Sequence, residues 1–253
     1  MKFLRILFCS FLFFAHSCLA QSSAAGPTPA FEVASVKPSK QARNGDEVRV
    51  AISPGLLTLR GVSLRFCIEW AYDTPPFQVE APPWLSDTGF DIFAKAAQPV
   101  TVDRLRSMLR NLLVQRFGVK VHSDRKEMRV YALTLMLGGP KFRKSTTDEP
   151  PFFGNDGKAG MLAKQVTMSE FASKISEPLG RPVIDATGLQ GRYDIRIDVT
   201  PYMTAPPKDG GELDMMSLLF TAFREQLGLK LVSRKSAVDI LVVDHAEKVP
   251  AEN

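Results

Sequence analysis

The sequence predicts an α+β protein: two copies of a β-α-β-β-α-β-β unit, with helices packed on small mixed or antiparallel sheets. Three observations predict it. Two amphipathic stretches, "TVDRLRSMLRNLLVQRFG" and "DMMSLLFTAFREQLG", carry apolar residues at one constant offset: Leu105/Met215, Leu109/Leu219, Leu112/Ala222, Leu113/Phe223 and Phe117/Leu227. At that same offset each ends in a glycine, Gly118 or Gly228, which takes a left-handed helix cap without a Cβ penalty. The offset then continues past the caps, pairing Lys120 with Lys230, Ser123 with Ser233 and Val130 with Ile240. A register kept across helix, cap and strands is the mark of an internal repeat.

The elements follow in order. "FEVASVKP" reads as a first strand ended by Pro38, and "EVRVAI" and "LLTLRGV" as strands parted by the turn signal Ser53-Pro54-Gly55. Ser63 is placed to cap a helix with Leu64, Cys67, Ile68 and Ala71 on one face. In the second half Thr167 and Glu170 form a capping box, Phe171, Ala172, Ile175 and Leu179 follow at helical spacing, and Pro178 and Gly180 stop the helix. "FQVEAP" and "RPVIDAT" read as short strands. "GFDIFAKA" and "GRYDIRIDV" read as their successors, Phe90-Asp91-Ile92 matching Tyr193-Asp194-Ile195. Tyr193, Ile195, Ile197 and Val199 alternate with Asp194, Arg196 and Asp198, one buried face and one wet. After the second helix of each half, "GVKVHSDRKEMRVYALTL" and "GLKLVSRKSAVDILVVDH" read as hairpins whose hinge is the Ser- and Arg/Lys-rich middle.

The division expected is a signal peptide at 1–20, a flexible lead-in at 21–30, and a first repeat with extra N-terminal strands at 31–137. A linker at 138–160, a second repeat at 161–246 and a polar tail at 247–253 complete it. "MKFLRILFCSFLFFAHSCLA" has a basic start, an apolar run and a small-residue end at Ala20, the pattern of a cleaved secretory signal. Its apolar run falls short of the about 20 residues a membrane span needs. The remainder is expected outside the cytoplasm, secreted or periplasmic, and not membrane-spanning. Of the three cysteines only Cys67 lies beyond that segment, so no internal disulfide is expected, and Cys67 reads as a buried, inert thiol. The net charge of +5 includes Lys2 and Arg5, leaving a mildly basic remainder that gives no reason to expect a nucleic-acid partner.

No motif for catalysis stands out. Beyond the signal segment the histidines are His122 and His245, and no zinc-protease, Cys-x-x-Cys, nucleophile-elbow or phosphate-loop pattern occurs. No cofactor, metal or catalytic residue is expected. Asp244-His245 reads as the end of an exposed strand. Asp185, Asp194, Asp198 and Glu80 are the carboxylates from which a glycosidase pair would have to be drawn. The candidate ligand-binding residues are Arg106, Arg110, Lys120, His122 and Arg125, from a basic run with Arg106 and Arg110 opposite the Leu stripe, together with Trp84 after Pro82-Pro83. The simpler readings are a solvated helix face for the basic run and a core lid for Trp84.

"FEVASVKPS", "LRSMLRNLLVQRFGVKVHSDRKEMRVYAL", "GRPVIDATGLQGRYDIRIDVTP" and "FREQLGLKLVSRKSAVDILVVDHAEKVPAEN" together resemble the secreted "soil-associated" proteins, a family of unknown function with many paralogues in soil bacteria. The resemblance implies no activity or catalytic residue. Similar regions appended to membrane metallopeptidases of the antibiotic-sensor type imply a sensing or binding role. "LLFTAFREQLGLKLVSRKSAVDILVVD" is also similar to the small N-terminal domain of secretins and TonB-dependent receptors, which implies partner binding without chemistry. The leading expectation is therefore a non-catalytic binding or sensor module for an envelope or extracellular ligand or protein. The alternatives are a hydrolase of cell-wall or extracellular polymers, and an assembly module acting by strand addition at Ala237–Asp244.

Overall fold

The computed structural model describes residues 28–39, 49–155, 160–203 and 214–251. The expected signal peptide and most of the lead-in lie outside these residues. Among these residues four α-helices and twelve strands in antiparallel and mixed sheets form an α+β fold. No helix among the described residues is long and apolar enough to cross a membrane.

The first half contributes β1 (Val33–Pro38), β2 (Arg49–Ser53), β3 (Leu56–Ser63), α1 (Leu64–Tyr72), β4 (Val79–Glu80), β5 (Gly89–Lys95), α2 (Val102–Phe117) and β6 (Lys120–Leu135). The second contributes β7 (Arg143–Lys144), β8 (Phe152–Gly154), β9 (Gly160–Val166), α3 (Met168–Ser176), β10 (Val183–Asp185), β11 (Tyr193–Asp198), α4 (Met215–Ala222) and β12 (Leu229–His245). The stretch expected as a linker thus carries β7 and β8, which join a sheet ordered β7-β11-β9-β8. Its counterpart in the first half is ordered β1-β5-β3-β2.

Local chemistry sets the helix limits. Ser63 Oγ accepts from Phe66 N at 3.1 Å, and Thr167 and Glu170 form the reciprocal capping box, each satisfying amides free at a helix start. Gly118 and Gly228 end their helices at φ +58° and +65°. The last turn of the fourth helix, Phe223–Leu227, is wound as a π-helix.

The halves share a further detail. Gly61 and Gln165 both stand at positive φ, and each donates its N–H to an aspartate, Asp91 Oδ1 at 2.9 Å and Asp194 Oδ1 at 3.0 Å. Each marks a β-bulge: Leu59 and Val62 face Ile92 and Phe90, while Ala163 and Val166 face Ile195 and Tyr193.

The expected final hairpins do not form. β6 and β12 are each one continuous strand, paired antiparallel along their length. The polar middles, "SDRK" and "SRKS", hold no Gly, Pro or Asn to turn the chain. They are polar because there the two-stranded ribbon has left one core and not yet reached the other. Val119, Val121, Leu241 and Val243 pack on the first core, and Leu133, Leu135, Leu229 and Leu231 on the second. Glu127 and Ala237, which stand at the constant offset seen in the sequence, are partners in the ladder.

The short strands pair across the two halves. β4 pairs in parallel with β12 of the other half, Val79 facing Leu241, and β10 pairs in parallel with β6, Val183 facing Tyr131. The central sheet therefore runs β10-β6-β12-β4, alternating between the halves. Each core is closed by a strand from the other half.

Candidate functional site

The exchange sets α1 and α3 on two sides of the central ribbon and leaves a cleft of about 550 Å³ between them. One wall is Phe66, Glu69 and Trp70 of α1, the turn from Asp73 to Gln78, and Arg106 of α2. The other is Ser173 and Lys174 of α3 with Glu177 just beyond it, and Ser123, Asp239, Ile240 and Leu241 come from the ribbon. Glu69 falls on the side of α1 away from Cys67, Ile68 and Ala71, which enter the first core; Trp70 packs partly on that core, and Asp73 caps the end of the helix.

Most charges in the cleft are bound to one another. Arg65 Nε donates to Glu69 Oε1 at 2.7 Å, and its Nη2 reaches the carbonyls of Pro76 and Val79, both at 2.9 Å. Burial raises the Glu69 pKa above the usual carboxylate value, and Arg65 opposes that rise. Arg106 Nη2 lies 2.7 Å from Asp73 Oδ1, and its guanidinium stands 5.6 Å from the centre of the Trp70 ring. Arg106 Nε is buried and has no hydrogen-bond partner among the described residues. Asp239 is held by Arg125 Nε at 3.0 Å, while its carbonyl accepts from Gln78 Nε2 at 2.8 Å.

The residues singled out from the sequence are dispersed. Arg106 lines the cleft, and Arg125 reaches it through Asp239. Arg110 is not on a free surface: its Nε donates to Ala71 O at 2.7 Å and its guanidinium lies 4.9 Å from the Tyr72 ring centre. Both Arg106 and Arg110 are only partly exposed, because α1 packs beside α2 and covers the face expected to be solvated. Lys120 and His122 flank Val121 in sequence and so take the face of β6 opposite the core. His122 Nδ1 is 2.8 Å from Asp244 Oδ1, and this bond raises its pKa above the ordinary value. Trp84 packs partly on the first core beneath Lys248, whose Nζ lies 5.5 Å from the ring centre.

The carboxylates considered for hydrolysis do not meet in the cleft. Asp194 holds the bulge at Gln165, Asp185 holds Thr187, Asp198 accepts from Thr200 N, and Glu80 pairs with Lys126. Cys67 is fully buried, which pushes its thiol up to about 12. Among the described residues no group of three or more His, Cys, Asp or Glu is placed to hold a metal ion.

Sequence reasoning missed Glu69, Asp73, Ser173, Lys174, Glu177 and Asp239 as neighbours. The wet side of α1 was legible, but its approach to α3 depends on the strand exchange. On the other half, Tyr131 packs edge-on against Phe220 at 5.5 Å and lies 4.7 Å from the Arg181 guanidinium.

A family model described as "Protein of unknown function (DUF3738)" matches residues 65–246, from α1 through β12. No curated protein and no solved structure matches the chain.

Proposed function

The chain belongs to the DUF3738 family of proteins of unknown function, and from that premise we propose that it is a non-catalytic binding module whose ligand occupies the cleft between its halves. One observation carries this reading. Of the four carboxylates lining the cleft, Glu69, Asp73 and Asp239 are each paired with an arginine rather than poised beside a nucleophile or a base, and Glu177 stands three residues from Lys174 at the end of α3. Such a lining orients and holds a ligand, and it activates no attacking group.

The two halves are read as copies of one unit that have exchanged their short strands. The shared bulge, the shared aspartate bond and the ladder symmetric about Glu127 and Ala237 support this reading. The apolar leader and small-residue end at 1–20 support action outside the cytoplasm, secreted or periplasmic, after cleavage at Ala20. The resemblance to the soil-associated proteins favours an envelope or extracellular ligand. Strand addition at Ala237–Asp244 finds less room, because β4 pairs at Leu241–Val242 and Gln78 occupies the Asp239 carbonyl.

Thermal unfolding of the purified protein against oligosaccharides, peptides and cell-wall fragments tests the reading. A ligand at about 100 times its Kd adds about 2.7 kcal/mol. At this size that raises Tm by roughly 5–10 °C. The ligand is expected to be recovered unchanged. Its conversion to product, lost on changing a single carboxylate, would overturn the non-catalytic reading.

A further inference from the structure

We propose that the cleft takes an uncharged oligosaccharide, an inference that rests on the binding reading and names its ligand class. The first support is electrostatic. Glu69, Asp73 and Asp239 are paired with Arg65, Arg106 and Arg125. The remaining charged groups of the lining, Lys174 and Glu177, are of opposite sign and three residues apart at the end of one helix. Arg106 and Lys174 face four carboxylates in the lining, and Arg65 and Arg125 just outside it make up the balance, so the cleft with its ion-pair partners has no net charge with which to select an anion or a cation.

The second support is the character of the surface. Trp70, Phe66, Pro75, Pro76 and Leu241 alternate with the amide of Gln78 and the hydroxyls of Thr74, Ser123 and Ser173. A sugar ring presents C–H faces and O–H edges, and a cleft of aromatic and aliphatic surface set with hydroxyls, amides and carboxylates meets both. Its volume lies within the roughly 300–1,000 Å³ of small-ligand sites.

A peptide fits less well. Capture of its main chain needs an open strand edge, and at the cleft β12 is already engaged by Gln78 and β4.

The chain has two tryptophans, and Trp84 lies outside the cleft lining. In the full chain carrying Trp84→Phe, Trp70 alone then reports on the site. Titration with cellohexaose, chitohexaose, xylohexaose and mannohexaose is set against acidic, basic and neutral hexapeptides. At least one saccharide is expected to change Trp70 emission saturably. Ser173→Tyr, an exposed position that fills the cleft, is expected to raise Kd by about tenfold or more with Tm unchanged. Lys174→Ala with Glu177→Ala is expected to weaken binding as well. Saturable binding of a peptide and of no saccharide overturns the ligand class while the binding module stands. Saccharide binding indifferent to Ser173→Tyr and to the double variant overturns the cleft as its site. A Trp70 signal flat for both classes overturns this proposal, and the thermal panel then decides separately whether the module binds anything.

Discussion

At the scale of single residues, the charged groups separate into those that hold the fold and those left for a partner. Arg110 was expected on a wet surface, yet it ties α2 to the end of α1 through Ala71 O and Tyr72. Its alkyl stem and planar head suit such a half-buried place better than a lysine would. His122 is different, being exposed and bonded to Asp244. That bond holds its folded pKa above the ordinary value of 6.5, with the Asp244 and Asp124 charges acting in the same direction and burial opposing. Whatever stability the bond contributes is therefore fully present below about pH 6.5 and is lost as pH rises through the folded pKa. Asp244→Asn is expected to lower the midpoint of His122, followed by NMR of its ring protons. The stability difference between the two proteins is expected to shrink on the alkaline side.

At the scale of elements, the paired bulges are the most informative feature. Gly61 meets no atom within 4 Å of where a Cβ would stand, so its requirement is conformational, φ +66°. Gln165 adopts nearly the same conformation at φ +55° with a side chain in place. Gly61→Ala is expected to lower stability by about 1 kcal/mol, the cost of a left-handed residue that is not glycine. Gln165→Gly relieves the left-handed conformation but removes a buried side chain that donates to Thr147 Oγ1, so it too is expected to destabilise, and chemical denaturation of both variants checks the pair of signs. The strands flanking these bulges, the helices and the caps at Ser63, Thr167, Gly118 and Gly228 were legible because each depends on neighbours in sequence: an alternation, a 3.6-residue stripe, a Ser, Thr or Gly at an end. The continuous β6 and β12 were not. A polar stretch inside a strand looks like a hinge until it is known that two cores lie at either end of it.

At the scale of the whole molecule, the exchange of β4 and β10 makes the two halves one cooperative unit. Leu241 and Val243, late in the chain, belong to the first core, and Leu133, before the second half begins, belongs to the second. Leu241→Ala is expected to cost about 2 kcal/mol, the low end for a buried leucine because a little of it is exposed. Hydrogen exchange is expected to show the loss at α1 and α2, far from the substitution in sequence. Both tryptophans lie in the first half, whereas circular dichroism reads both halves. Coincident thermal transitions by the two probes are expected, and separated transitions would mean that the halves unfold independently. The same interlocking makes the cleft: α1 and α3 face each other because the ribbon between them is shared.

The sequence alone determined the α+β class, the order of the helices and the caps at Ser63, Thr167, Gly118 and Gly228, because these follow from contacts between residues close in the chain. It also marked Cys67 as inert, since a thiol on an apolar helix face is buried whatever that face packs against. Only the tertiary structure decided which strands pair between the halves, that the supposed hinges are the middle of a ribbon, and that Glu69, Trp70 and Asp73 stand opposite Lys174 and Glu177. Those are meetings of groups a hundred residues apart, with pairing set by β-ladder register. Sequence periodicity says which face of an element is buried, but not against what.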